Sequence, residues 1–297
     1  MQLEEEVAKR TVEIVRQKDI IETKNEEILW SISYAKCIQS AILPDNSVID
    51  RKFVNYFILY KPKDIVAGDF YWLDTAKIDG KEITLLAAAD CTGHGVPGAM
   101  VSVVCSGALH AAVREYSQKQ PACILDKTLE LVLDRFQSSE DEVKDGMDIA
   151  LIGMHPVDRN GDRQIEFAGA QNPLWLVTTH ERKDIQCHST MSENGIYLYE
   201  IKGDKQPIGK YGEPKPFTNH SIKAMKGDMI YLFTDGYADQ FGGPRGKKFK
   251  YKTMKSALIS MHGKAAVNQK NKLEAIFEDW RADLEQVDDV CVIGVRI

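Results

Sequence analysis

Aspartates stand at the ends of apolar runs in four separate parts of the chain. Asp69 follows IVAG, Asp90 follows LLAAA, Asp235 follows MIYLFT, and Asp288 and Asp289 precede VCVIGVRI. A carboxylate buried beside a β-core without a partner costs on the order of several kcal/mol, so it has to be ligated or hydrogen-bonded. Mg²⁺ and Mn²⁺ prefer such oxygen ligands. Each aspartate alone is typical of a turn or cap, but the four places together favour a metal site.

Residues 93–98 read GHGVPG and match the Gly-x-Gly-x-x-Gly pattern of dinucleotide-binding loops. Such a loop also requires a second strand that ends in an acidic residue about 20 residues later. Here that distance falls at residues 114–116, at the polar end of a predicted helix, and Asp90 would repel a pyrophosphate. The glycines therefore predict tight turns around Asp90, with Pro97 in the first turn of the next helix, rather than a nucleotide site of an oxidoreductase.

The composition is that of an ordinary globular protein, with 43% apolar and 28% charged residues among 297. A formal net charge of −6 gives no basic footprint for nucleic acid. Six scattered cysteines without a C-x-x-C pair indicate reduced thiols, and the charged start MQLEEEVAKR lacks the apolar core of a secretory signal. Residues 92–113 carry no charged side chain, but their glycines, serines and proline favour a buried helix over a membrane span. We expect a cytoplasmic location.

The first forty residues predict one long helix, because they contain no glycine or proline and consist mainly of strong helix formers. Every seventh position forms an apolar column: Val7, Ile14, Ile21, Ile28, Ala35 and Ile42. The companion column is polar, with Asn25 among its members, as in weak parallel coiled-coil dimers. A helix that docks on its own domain explains the column equally well. Pro44 ends the helix, so we divide the chain into a linker or switch segment, 1–43, and a folded domain, 44–297.

The folded domain predicts an α+β class. Strand-like runs begin near Phe53, with Asp79-Gly80 as a hairpin signal. Helices are predicted at 98–116 and 123–139, more strands follow, then two helices within 252–285 and a final strand. Alternating βαβ units are absent from this order, which favours antiparallel sheets.

Four stretches carry a resemblance to a known family. VAGDFYW, ADCTGHGVPGAM, YLFTDGYADQF and VDDVCVIGV resemble, in order, the motifs of the metal-dependent serine/threonine protein phosphatases, in their bacterial SpoIIE/RsbU branch. The resemblance covers roughly residues 50–297. It implies a sandwich of two antiparallel sheets flanked by helices, an αββα architecture, with a two-metal centre between the sheets. The preceding SISYAKCIQSAILP resembles the helical linker that joins such domains to sensors, so an upstream sensor or membrane-anchored part is expected.

The resemblance also implies roles for the aspartates at two Mg²⁺ or Mn²⁺ ions. Asp90 bridges both ions, and the backbone carbonyl of Cys91 completes one coordination sphere. Asp235 and Asp288 bind the second ion, and Asp69 holds metal-bound water.

For the other candidate functional residues, the sequence leaves two interpretations open. Asp289 adjoins Asp288, and the sequence does not separate them. His94 is a candidate proton donor to the leaving group, or it shapes the glycine turn. Asp148 binds a third, weak ion, or it faces solvent at a strand start. The basic run GPRGKKFKYK steers an acidic phosphoprotein, or it is a solvated loop.

The implied activity is hydrolysis of phosphoserine and phosphothreonine in a protein, by in-line attack of a water that two metal ions activate. The expected substrate is a phosphoprotein of the anti-sigma-factor antagonist type in bacterial signalling. The N-terminal helix is expected to form a homodimer or to transmit a signal to the metal site. The alternative is a catalytically degenerate scaffold that acts as a regulatory binding module.

Overall fold

The protein, described by a computed structural model over residues 2–136 and 145–297, folds as alternating blocks of strands and helices. The helices of the described part are α1 (Gln2–Ser40), α2 (Asn46–Asp50), α3 (Gly95–Arg114), α4 (Pro121–Phe136), α5 (Gly236–Asp239), α6 (Tyr251–Ser260) and α7 (Ala266–Arg281). Its strands are β1 (Tyr56–Lys61), β2 (Phe70–Ile78), β3 (Lys81–Cys91), β4 (Gly146–Met154), β5 (Arg163–Ala170), β6 (Leu174–Thr178), β7 (Ser189–Glu193), β8 (Ile196–Ile201), β9 (Ile208–Gly209), β10 (His220–Ala224), β11 (Met229–Phe233), β12 (Phe241–Gly242), β13 (Lys247–Lys248) and β14 (Val290–Arg296).

The strands form two main sheets. One has the order β1-β14-β11-β6-β8-β7, and the other has the order β10-β5-β4-β3-β2, with β9 paired to β4. Strands β12 and β13 make a separate hairpin. Neighbouring strands pair antiparallel throughout the two sheets, so the predicted α+β class with antiparallel sheets is confirmed.

The sheets pack face to face between two layers of helices. Successive side chains of a strand point to opposite faces, and β3 is buried on both. Its residues Leu86 and Ala88 join the core between the sheets, while Leu85 and Ala87 pack in a second core with α3 and α4. A third core lies between the other sheet and helices α6 and α7. The expected αββα layering is therefore present.

Helix α3 is the apolar helix predicted to be buried. It is the one described helix that is long and apolar enough to cross a membrane, but 61% of its most apolar stretch is buried inside the domain. Core helices of folded domains meet the same criterion, so this is weak evidence for a membrane span. The helix begins at Gly95, three residues before the predicted start, and Pro97 lies in its first turn as expected.

Helix α1 confirms the predicted long N-terminal helix. The apolar column is exposed at Val7, Ile14, Ile21 and Ile28. Closer to the domain, Ile32 and Ala35 are half-buried, and Gln39 is buried. The helix therefore docks on the domain through its last turns only, and its first four apolar column positions remain exposed in the single chain.

The sequence did not indicate strands β7 and β10. Both lie at sheet edges, and their sequences, STMSE and HSIKA, are largely polar. An edge strand is solvated on one side, so it needs no clear hydrophobic alternation. The predicted Asp79-Gly80 turn is confirmed, since both residues have positive φ, 49° and 77°.

Candidate active site

A cavity of about 280 Å³ opens where the ends of strands from both sheets meet. Its lining is Asp90, Cys91, Thr92, Gly93, His94, Gly146, Met147, Asp148, Pro207, Gly209, Asp235 and Asp288. Asp90 is the second-last residue of strand β3, Asp235 is the N-cap residue of α5 just after β11, and Asp288 precedes β14. Aspartates far apart in the sequence thus converge in one place.

Asp289 lies behind the cavity and is occupied by backbone contacts. One of its carboxylate oxygens accepts a hydrogen bond from the Lys63 N–H (2.7 Å) and the other from the Gly68 N–H (2.6 Å). These bonds fix the loop that leads into Asp69. The neighbouring Asp288 is the member of the pair whose residue lines the cavity.

Asp69 is 2% exposed and also lies behind the cavity. Its Oδ2 accepts a hydrogen bond from Thr234 Oγ1 at 2.6 Å, and the same hydroxyl accepts one from the Cys291 N–H at 3.0 Å. Thr234 therefore ties Asp69 to the opposite sheet. In the sequence, the only signal for Thr234 is its place directly before Asp235.

The glycines of residues 93–98 let backbone segments approach each other closely. A Cβ atom on Gly68 or on Gly98 would collide with the carbonyl oxygen of Gly93. Gly93 itself has φ +84°, a conformation that costs glycine little. The prediction that these glycines make tight turns beside Asp90 is confirmed.

Burial and mutual repulsion shift the proton affinities of the cavity carboxyls. Burial, followed by the charges of Asp235 and Asp288, raises the pKa of Asp90 to about 8. Burial and then Asp235 raise the pKa of Asp148 to about 6, and burial and then Asp90 raise that of Asp69 well above its ordinary value. Among the residues that the structure describes, no lysine or arginine lines the cavity to balance this charge.

The donor chemistry of the cavity fits hard divalent cations. Its acidic side chains offer oxygen donors, which Mg²⁺ and Mn²⁺ prefer, and a cation there would relieve the repulsion that raises the pKa values. Within residues 2–136 and 145–297, no three His, Cys, Asp or Glu side chains are arranged to close around one ion. The donor set of each ion accordingly stays a prediction.

His94 lies at the rim of the cavity and has a partner that sequence reasoning missed. Its Nδ1 is 2.9 Å from Asp64 Oδ2, and both side chains are about half exposed. His94 is the N-cap residue of α3 but makes no side-chain capping bond. The imidazole is thus held by a carboxylate rather than by the helix end.

Gln39 connects helix α1 to this region. Its Nε2 donates to the Ala67 carbonyl and to Ser102 Oγ, and its Oε1 accepts from the Ala67 N–H at 3.0 Å. Ala67 precedes Asp69 by two residues, and Ser102 lies on α3. In the sequence, Gln39 was only a polar member of the weak companion column.

Comparison with known proteins agrees with this geometry. The family profile described as Stage II sporulation protein E (SpoIIE) matches residues 80–297. Among curated proteins there is no sequence match.

Solved structures share the fold. The SiaA-PP2C domain of Pseudomonas aeruginosa is 28% identical, with a TM-score of 0.74 over 92% of this chain and 98% of that one. The PP2C phosphatase domain with a regulatory fragment of the cell fate determinant SpoIIE from Bacillus subtilis is 16% identical, with a TM-score of 0.57 over 82% of this chain and 62% of that one.

The RsbU and RsbW domains of Rv1364c from Mycobacterium tuberculosis are 18% identical, with a TM-score of 0.54. The match covers 82% of this chain and 60% of that one, so this chain spans under two thirds of that protein and of the Bacillus chain. At these identities the last two matches show the fold alone.

With more than half of its length matched by the family profile, the chain belongs to the SpoIIE family of PP2C-type phosphatases of bacterial signalling.

Proposed function

We propose that this protein is a metal-dependent phosphoserine/phosphothreonine protein phosphatase. The observation that carries the proposal is the convergence of Asp90, Asp235 and Asp288, from both sheets, on one cavity. Their carboxyls are crowded enough to raise the pKa of Asp90 to about 8, first through burial and then through its acidic neighbours. Such a cluster gains stability from bound divalent cations.

Two Mg²⁺ or Mn²⁺ ions would be held by Asp90, Asp235, Asp288 and the carbonyl of Cys91. We assign Asp288 rather than Asp289 to this set, since both oxygens of Asp289 already accept backbone hydrogen bonds. When bound, such ions acidify water and balance the charge of the phosphoryl oxygens.

Two further aspartates, Asp69 and Asp148, would have supporting roles at the metal centre. Asp69 would orient water from behind the cavity, with its own carboxylate fixed by Thr234. Asp148 lies opposite Asp90 in the sheet and would hold a third, weaker ion.

His94 would donate a proton to the departing serine or threonine oxygen. An alkoxide is a poor leaving group, so a proton donor at the rim accelerates its departure. Asp64 accepts from Nδ1, which orients the ring and leaves Nε2 free for the substrate. The alternative, a histidine that only shapes the glycine turn, predicts no dependence on the leaving group.

The substrate we propose is a phosphoprotein of the anti-sigma-factor antagonist type, on the strength of the motif resemblance to the SpoIIE/RsbU branch. The chain would divide into the switch segment 1–43 and the phosphatase domain 44–297. The exposed apolar column of α1 supports a homodimer, and the Gln39 contacts support transmission of a signal from an upstream sensor. The six free cysteines fit a reducing cytoplasm.

The test is hydrolysis of p-nitrophenyl phosphate and of a phosphoserine peptide with and without Mn²⁺. Activity should require the metal, and Asp235→Asn should reduce it at least about a thousandfold, as expected for loss of a metal ligand, without unfolding the protein. The second candidate function is a degenerate scaffold that binds a partner, although the presence of all four acidic motifs argues against it. Equal inactivity of wild type and Asp235→Asn with every metal and substrate would support that candidate.

A further inference from the structure

A cluster of positive charge lies next to the acidic cavity. Residues 241–252, which we call the basic hairpin, contain strands β12 and β13 and the start of α6. Its exposed cations are Arg245, Lys247, Lys248, Lys250 and Lys252. The whole chain has a formal net charge of −6, so the charge of this cluster is opposite in sign to that of the chain.

Most of this charge has no ion-pair partner among the residues that the structure describes. Lys248 Nζ lies 2.6 Å from Asp239 Oδ2, and its charge also offsets part of the repulsion on Asp235. The other four cations form no ion pair with any residue in the described ranges, 2–136 and 145–297. Uncompensated charge on one side of a cleft raises the local potential and attracts ligands of opposite sign.

The hairpin is fixed in position relative to the cavity. The ring of Phe249 is buried and packs edge-on against Trp280. The Lys250 N–H donates to the carbonyl of Ala238 at 2.7 Å. Ala238 belongs to α5, the helix that Asp235 caps. The backbone of the hairpin is therefore joined to the short helix that begins next to Asp235, a residue of the cavity lining.

Lys250 occupies a backbone conformation that glycine favours. Its φ is 72° and its ψ is 146°, a region where a Cβ atom causes strain. Glycine would be less strained at this position. A lysine placed there costs stability, and its side chain is exposed.

We propose that the basic hairpin binds acidic residues beside the phosphorylated residue of the substrate, so that the enzyme selects acidic phosphoproteins. The inference rests on the proposed phosphatase function, because the phosphate has to occupy the acidic cavity. The acidic side chains that the hairpin contacts would flank the phosphoserine in the sequence of the substrate. A neutral peptide would fill the cavity but leave the hairpin without a partner.

The test compares two fluorescein-labelled phosphoserine peptides, identical except that one carries Asp and Glu where the other carries Asn and Gln. Both peptides carry the non-hydrolysable phosphonate analogue of phosphoserine, so fluorescence anisotropy in Mn²⁺ measures binding without turnover. We expect the wild type to bind the acidic peptide about tenfold more tightly at about 50 mM NaCl, and the preference to shrink at about 300 mM NaCl through screening. The triple variant R245E/K247E/K250E should lose the preference.

The matched control is K119E/K183E/K226E, three charge reversals of exposed lysines at the far side of the domain. Lys119 lies after the C-terminal end of α3, and the cavity borders the opposite end of that helix. Lys226 lies before the first residue of β11, and the cavity lies beyond the last residue of that strand. Lys183 follows β6, which ends beside the start of β11. This control should keep the preference. An equal loss in both variants, absence of any preference in the wild type, or tighter binding of a labelled RNA oligonucleotide would overturn the inference.

Lys250→Gly separates binding from folding. We expect its melting temperature to equal or exceed that of the wild type while its preference for the acidic peptide falls. A lower melting temperature, or an undiminished preference, would contradict the role of Lys250. Hydrolysis of p-nitrophenyl phosphate by the wild type tests the proposed function separately, since a binding preference without hydrolysis would contradict the phosphatase and reduce the hairpin to a binding surface for acidic peptides.

Discussion

Asp90 and Asp148 occupy directly opposite positions on the neighbouring antiparallel strands β3 and β4. Like charges at such positions destabilise a sheet. Burial first, and then the charge of Asp235, raises the pKa values of both carboxyls, to about 8 for Asp90 and about 6 for Asp148. The sheet is therefore stable here when a proton or a cation neutralises the pair.

The first prediction is that the metal-free protein loses stability as the pH rises. The folded state keeps a proton on Asp90 up to about pH 8, while the unfolded chain releases it near pH 4. The folded state binds more protons between these values, so stability that is present below about pH 4 is lost as the pH approaches 8. Each tenfold difference in proton affinity corresponds to about 1.4 kcal/mol, so we expect a loss of at least about 2 kcal/mol.

Urea unfolding in EDTA at about pH 5 and about pH 8 measures this loss, and Mn²⁺ should reverse it at the higher pH. Constant or increasing stability of the metal-free protein over that range would contradict the prediction.

The second prediction concerns Asp148→Asn, which removes one carboxylate of the opposed pair. In EDTA at about pH 8 the variant should be more stable by about 1 kcal/mol, a rise of roughly 2–4 °C in melting temperature for a domain of this size. Asp279→Asn, an exposed change on α7, is the control and should have no effect. A lower melting temperature for Asp148→Asn would show that Asp148 is held by favourable contacts instead.

The third prediction tests His94 through the leaving group. His94→Gln should slow hydrolysis of a phosphoserine peptide about 10²- to 10⁴-fold but change hydrolysis of p-nitrophenyl phosphate far less, because p-nitrophenolate departs without a proton. Asp64→Asn should produce a smaller loss with the same substrate dependence, since Asp64 orients the ring. Equal losses with both substrates would assign His94 to the shape of the glycine turn.

The fourth prediction concerns Gln39, the contact between the linker helix and the site. Gln39→Leu leaves the Ala67 N–H and carbonyl without their buried partner, which costs about 1–3 kcal/mol. The loop carrying Asp69 should loosen and weaken metal binding, so the Mn²⁺ concentration that gives half-maximal hydrolysis should rise. Gln17→Leu, on an exposed part of the same helix, serves as the control. An unchanged Mn²⁺ requirement would show that helix α1 does not influence metal binding at the site.

The fifth prediction concerns the exposed column of α1. The double variant Ile14→Asp/Ile21→Asp should convert a dimer to a monomer in light scattering, because charges at coiled-coil seam positions are buried without partners. Lys9→Asp, outside the column, should remain dimeric. A wild type that stays monomeric at all concentrations would contradict the proposed homodimer.

Much of the fold was predictable because the sequence marks it with clear periodicity. The apolar runs of β3 and β11 and the heptad column of α1 each have the pattern of their element. Strands β7 and β10 were missed because solvated edges need little hydrophobicity.

The site was predictable only in part. Asp90 and Asp235 stand out because a carboxylate at the end of an apolar strand is unusual. Asp64 and Gln39 gave no such signal, because their roles depend on partners 30 and 28 residues away, His94 and Ala67. Short-range sequence patterns give no information about contacts that form only in the folded chain.

The central claim is that the converging carboxylates hold two divalent cations, and counting bound Mn²⁺ by electron paramagnetic resonance tests it most directly. The account predicts two ions per wild-type chain, a marked loss in Asp90→Asn, which removes the proposed bridging ligand, and no change in Asp279→Asn. A wild-type protein that binds no Mn²⁺, or an Asp90→Asn variant that binds as many ions as the wild type, would contradict it.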